Sequence, residues 1–123
     1  MPAEACPLCD ASGAVLRNAL AYTRPDDHQL SPGHFIVVPF RHVADFFDMT
    51  AEEKRAVLDL LDRVRERVGG EFAPDGYNIG VNIGAAGGQS RMHVHVHLIP
   101  RFRGDVADPR GGVRCVLAKK NPA

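Results

Sequence analysis

The chain has 123 residues, enough for one domain with its own hydrophobic core. Lysine plus arginine and aspartate plus glutamate both number 15, so the net charge is zero; this argues against a general nucleic-acid binder but allows a small anionic ligand in a locally positive pocket. No apolar run approaches the roughly eighteen residues of a membrane helix, and the opening residues lack the basic and apolar regions of a signal peptide, so neither membrane nor export is expected.

In chain order, Cys6-Pro7-Leu8-Cys9 comes first. Three cysteines are an odd number, and two lie only three positions apart, which fits reduced thiols in the cytoplasm better than a disulfide framework. The pair could be half of a zinc site or simply two thiols near a terminus. Residues 14–23 read as one or two short strands, followed by turns at Arg24 to Asp27 and Ser31 to Gly33. His34 to Pro39 is a β-branched and aromatic run stopped by proline, and predicts a buried strand. Thr50 to Val68 predicts the one long helix. Thr50 and Glu53 form a capping-box pattern, and Val57, Leu60, Leu61, Val64 and Val68 recur on one stripe. Arg63, Arg65 and Arg67 suit the negative pole of that helix, and Gly69-Gly70 supplies a left-handed stop. Tyr77 to Ile83 and His93 to Pro100 are two more expected strands, with a small-residue loop at Ala85 to Gly88 between them. Arg103 to Gly112 is polar and turn-rich. Strands around one long helix imply an α+β fold with a mostly antiparallel sheet.

Three of the six histidines alternate in His93-Val94-His95-Val96-His97. A period of two sends the imidazoles to one face and Val94, Val96 and Leu98 to the other. The row could bind metal, although His93 and His97 would stand about 13 Å apart at Cα, too far for all three to share one ion. Alternatively it faces an extended anion. A neutral imidazole is a nucleophile, and at a pKa near 6.5 most of it is neutral at pH 7. The loop immediately upstream, Gly87-Gly88-Gln89-Ser90, offers amides and a hydroxyl with little bulk, which favours phosphate.

The run from Gly87 to Ile99 resembles the signature of the histidine-triad (HIT) superfamily, His-φ-His-φ-His-φ-φ with φ apolar, and fits it at every position. The resemblance extends through Ser31 to Phe47 and to the tail around Asp108 to Gly112, and is nearest to bacterial HIT hydrolases of the diadenosine-polyphosphate type. It implies a HIT-like fold in a single domain over residues 1–123, with one long and one shorter helix and a zinc-knuckle-like segment at about 1–12. It makes His95 the nucleophile at the α-phosphorus and puts His97 at the α-phosphate or leaving group. His34 orients the triad. Gly88, Gln89, Ser90 and Asn82 hold phosphate oxygens, Asp26 holds the ribose hydroxyls, and Tyr22 helps form the base pocket. The resemblance also implies structural zinc on Cys6, Cys9, His42 and His93. No catalytic metal is required, though magnesium could accompany a polyphosphate. A homodimer is implied, with an adenine nucleotide as ligand.

The expected activity is hydrolysis of dinucleoside polyphosphates or nucleoside phosphoramidates through a nucleotidyl-histidine. The rivals are a nucleotide-binding module with little turnover, a transferase or phosphorylase using phosphate as acceptor, and a metal-dependent hydrolase. Arg101, Arg103 and Arg110 either reach a distal phosphate or are solvated. Cys115 reads as a small apolar residue and His28 as a surface group.

Overall fold

A computed structural model describes residues 5–117; the expected domain's ends, residues 1–4 and 118–123, lie outside the described residues. Five strands form one antiparallel sheet: β1 (Leu16–Arg17), β2 (Ala21–Pro25), β3 (Phe35–Pro39), β4 (Gly76–Val81) and β5 (Val96–Arg101). Their order is β1-β2-β3-β5-β4, which leaves β4 on an edge beside the histidine strand. β3 is central and all five of its residues are buried, as its unbroken apolar run requires.

Helix α1 (Ala51–Phe72) lies across one face of the sheet. Its start is the expected capping box: Glu53 N–H donates to the Thr50 hydroxyl at 3.0 Å, and Thr50 N–H donates to the Glu53 carboxylate at 2.9 Å. Val57, Leu60, Leu61, Val64 and Val68 form the buried stripe, packed on Ala21, Phe35, Val37, Val96 and Leu98. The helix runs four residues past the expected end. Gly69-Gly70 does not stop it, because Phe72 continues the stripe one turn beyond Val68 and packs against Gly33. Termination comes at Ala73, in the left-handed region at φ 49°, with Pro74 immediately after. Consequently Arg63, Arg65 and Arg67 sit inside the helix, and its last turn holds no basic residue.

Besides α1, the described residues hold only short 3-10 helical turns, at Pro7–Cys9, Phe46–Asp48, Ala85–Gly87 and Gly112–Val116. One further expectation is corrected. The β5 ladder starts at Val96, not His93, because Val94 N–H donates instead to the Val43 carbonyl at 2.8 Å and draws residues 93–95 toward the loop after β3.

The sheet's other face is divided. Over β2 and β3 the N-terminal segment covers it, with Leu8 and Cys6 buried on Tyr22, Ile36 and Val38. Over β4 and β5 it stays open, and there the strand alternation turns His97 and Ile99 outward while Val96, Leu98 and Pro100 are buried. No helix among the described residues is long and apolar enough to cross a membrane.

Candidate functional site

The open face holds a cavity of about 520 Å³, within the usual range for small-ligand sites. Asp26, His34, His95, His97, Asn82 and Ser90, six of the residues singled out in the sequence, line it together. Gly80 lies opposite His97 across the β4–β5 ladder and adds no side chain to the floor.

The tautomers of the cavity histidines follow from their partners. His95 Nδ1 lies 2.9 Å from the His93 carbonyl and must donate to it, so its Nε2 carries the lone pair. Leu30 N–H donates to His34 Nδ1 at 3.0 Å, so His34 holds its proton on Nε2. That Nε2–H reaches His97 Nδ1 at 3.0 Å, which leaves the His97 proton on its own Nε2. Asp26 Oδ2 stands 3.3 Å from both His34 Nε2 and His97 Nδ1, while its Oδ1 accepts from His28 N–H at 2.8 Å. The result is a directed chain with one imidazole presenting a lone pair and the next an N–H.

Burial is the first cause that keeps the supporting histidines neutral. It pushes His97 down to about 4, helped by His95 and His34 and opposed by Asp26. It also lowers His34, again against Asp26. Asp26 is itself partly desolvated, which raises it, but the His28 amide and the surrounding imidazoles hold it below the ordinary carboxylate value.

The glycine loop is braced by Gln89. Its side-chain oxygen accepts from Gly84 N–H at 2.9 Å, and its Nε2 donates to the Ala44 and Arg91 carbonyls at 2.7 and 3.0 Å. Gln89 is therefore buried and shapes the loop, whereas the Ser90 hydroxyl and Asn82 amide have no hydrogen-bond partner among the described residues and stay available. Gly88 takes φ 93°, a left-handed conformation that suits glycine.

Tyr22, expected in the base pocket, is instead fully buried under the N-terminal segment, where its hydroxyl donates to the Leu8 carbonyl at 2.6 Å. Arg101 is held by Asn78 and Asp105, Arg103 by Asp75 and Arg110 by Asp108, and none of the three lines the cavity. The sequence reading passed over three participants: the Leu30 amide, the 3-10 turn whose Val113 and Val116 border the cavity, and Arg91. Arg91 follows Ser90 directly, and that adjacency was the available signal.

A second cluster lies behind the triad. The ligand atoms of Cys6, Cys9, His42 and His93 all fall within 4.8 Å of one another. Cys6 Sγ and Cys9 Sγ stand 3.6 and 3.5 Å from His93 Nδ1, and Cys9 Sγ stands 3.2 Å from His42 Nδ1. Bond lengths of about 2.3 Å to sulfur and 2.0–2.1 Å to nitrogen give a tetrahedral sulfur–nitrogen edge of about 3.6 Å, so the donors fit one zinc. His93 Nε2 donates to the Pro39 carbonyl at 2.8 Å, which strips the proton from the ligating Nδ1 and fixes the ring. His42 reaches the cluster from a loop tied down by Arg41, which grips the Glu53 carboxylate at 2.7 and 3.0 Å.

The HIT domain family model matches residues 11–104. The chain belongs to the histidine-triad family. Among relatives, the HIT domain is 35% identical over 100 residues to an AP-4-A phosphorylase of Mycobacterium tuberculosis, covering 80% of this chain and 51% of that protein. It is also 35% identical over 77 residues to the asymmetrical bis(5'-nucleosyl)-tetraphosphatase of Schizosaccharomyces pombe, covering 63% and 42%. The chain thus spans about half the length of these curated relatives. A solved HIT family protein from Bacillus anthracis superposes with a TM-score of 0.76 at 29% identity, covering 82% of this chain and 76% of that one.

Proposed function

We propose that the HIT domain is a nucleotidyl hydrolase in which His95 attacks the α-phosphorus of a dinucleoside polyphosphate or a nucleoside phosphoramidate. The observation that carries this reading is the His95 Nδ1 bond to the His93 carbonyl, which commits the Nε2 lone pair to the cavity. In the first step Nε2 forms a bond to phosphorus as the bond to the leaving group breaks; a polyphosphate departs as an anion that accepts a hydrogen bond from the His97 Nε2–H, and a departing amine takes its proton from solvent. In the second step water attacks the nucleotidyl-histidine, the P–N bond breaks with its electron pair returning to His95 Nε2, the surplus proton of the water passes to solvent, and a nucleoside monophosphate is released. His34 holds His97 in the donor tautomer. Ser90 and Asn82 take the phosphate oxygens, and Gly88, whose N–H already donates to the Ala85 carbonyl at 3.0 Å, shapes the loop. Asp26 steadies the positive charge that His95 gains on nucleotidylation, and its remaining lone pairs serve the ribose hydroxyls. Gln89 acts by holding the loop.

Zinc on Cys6, Cys9, His42 and His93 has a structural role, pinning the N-terminal segment to the strand that carries the nucleophile. When bound, it supplies a fixed tetrahedral anchor, and thiolate ligands suit a reducing compartment such as the cytoplasm. Catalysis needs no metal, and magnesium enters with a polyphosphate substrate. The open edge of β4, exposed Ile79 and exposed Leu58 on α1 suit a homodimer.

A second reading is favoured by the relative named as a phosphorylase: inorganic phosphate in place of water as acceptor. The test is to incubate the protein with diadenosine tetraphosphate and with adenosine phosphoramidate, with and without phosphate, beside His95→Ala. Adenosine monophosphate from wild type alone supports the hydrolase, and adenosine diphosphate that requires added phosphate supports the phosphorylase. Turnover retained by His95→Ala overturns both.

A further inference from the structure

Arg91 is the one permanent cation among the described residues lining the cavity. Its neighbours there balance little negative charge, because burial keeps His34 and His97 from protonating at neutral pH. None of the arginines that follow the triad lines the cavity, and Arg101 and Arg110 are gripped by carboxylates at 2.8 and 2.9 Å. Arg91 is held more loosely. Both its NH1 and NH2 stand 3.4 Å from a single oxygen of Asp27, well beyond the 2.7–2.9 Å of a strong charge-assisted bond. Asp27 is about half exposed and divides itself with Arg24, whose NH1 lies 3.3 Å from the other oxygen. Such a pair holds the side chain in place at little energetic cost to break.

Taking the triad as the nucleotidyl-transfer centre proposed above, we propose that Arg91 is a specificity residue that leaves Asp27 to grip the phosphates beyond the α-phosphate, so that the preferred substrate class is the polyphosphate. The two candidate classes differ in what departs. A phosphoramidate loses an amine, which carries no anionic oxygen. A polyphosphate loses a group bearing several, which a planar guanidinium can engage two at a time. Ser90, the residue before Arg91, and Asn82 already offer unspent donors on the same wall. Arg91 therefore adds a permanent positive charge to the cavity that these donors and the triad line.

The test separates this proposal from the hydrolase reading by measuring binding as well as turnover. Affinities for adenosine tetraphosphate and adenosine monophosphate are measured by calorimetry for wild type, Arg91→Ala, Arg91→Lys and Asp27→Asn. Losing one charge-assisted contact should weaken the tetraphosphate relative to the monophosphate by roughly tenfold or more in Arg91→Ala. Arg91→Lys should recover part of that ratio, and Asp27→Asn, which frees Arg91, should raise it. The ratio of kcat/KM for diadenosine tetraphosphate over adenosine phosphoramidate should move in the same directions. Equal losses for both ligands, no change in either, or an Asp27→Asn variant that copies Arg91→Ala would overturn the proposal. The last result would mean that the ion pair merely holds the loop. Absence of turnover in wild type would count against the hydrolase reading alone, because the binding ratios would still report on Arg91.

Discussion

Acidification should destabilise this fold through His97 in particular. Burial holds the His97 pKa near 4, against about 6.5 in an unfolded chain. At pH 7 the ring is neutral in the folded chain and mostly neutral in the unfolded one, so it contributes little to the pH dependence. As pH falls below 6.5 the unfolded chain gains a proton that the folded chain refuses until about 4, so stability present above pH 6.5 is lost across that window. At pH 5 the loss from this one group is about 2 kcal/mol, rising toward about 3 kcal/mol below pH 4. The side chain is 19% exposed, so solvent screening trims this figure only modestly. Urea unfolding at pH 7 and pH 5 on wild type and His97→Gln isolates the contribution, since carboxylates and the cysteine cluster titrate in both proteins. Wild type should lose about 2 kcal/mol more than the variant over that interval. Equal losses would refute the assignment of a buried, neutral His97.

Leu60 is fully buried between helix and sheet, so Leu60→Ala should cost about 2–5 kcal/mol in denaturant unfolding. Gly33 takes φ 86°, and an added Cβ would lie 2.8 Å from Phe72 and 2.9 Å from Val68. Gly33→Ala should therefore cost about 2–4 kcal/mol, and a thermal melt matching wild type would count against this packing. The protein purified with zinc present should carry about one ion per chain by atomic absorption. Cys9→Ser, or removal with a chelator, should empty the site and lower Tm by at least about 5 °C.

The parts of the fold that could be read from sequence are those where local pattern and tertiary packing agree. The Thr50–Glu53 box, the valine-leucine stripe and the β3 run each state their role within a few residues. The far end of α1 is not legible locally, because Gly69-Gly70 is a stop signal by type, whereas the half-buried Phe72 packs on the core beside Gly33 one turn later. The site was legible where a motif is contiguous, as in His93 to His97, and through the family resemblance for Cys6, Cys9 and His42, which lie far from His93 in sequence. Gln89 illustrates the limit. Its type and position fit a phosphate ligand, but only the fold reveals that Gly84, Ala44 and Arg91 have taken its hydrogen bonds. Arg91 is the converse case, since only its place on the cavity wall distinguishes it from the solvated arginines of the tail.

The most direct test of the account is to trap the covalent species on His95. Wild-type protein mixed with diadenosine tetraphosphate, quenched within milliseconds to seconds under alkaline conditions that preserve phosphoramidates, is digested and its peptides are examined by mass spectrometry. The account expects one nucleotidyl group on the peptide containing His95, appearing before the released monophosphate accumulates and missing from His95→Ala. Steady turnover with no such adduct at any quench time, or an adduct on a different residue, would contradict it.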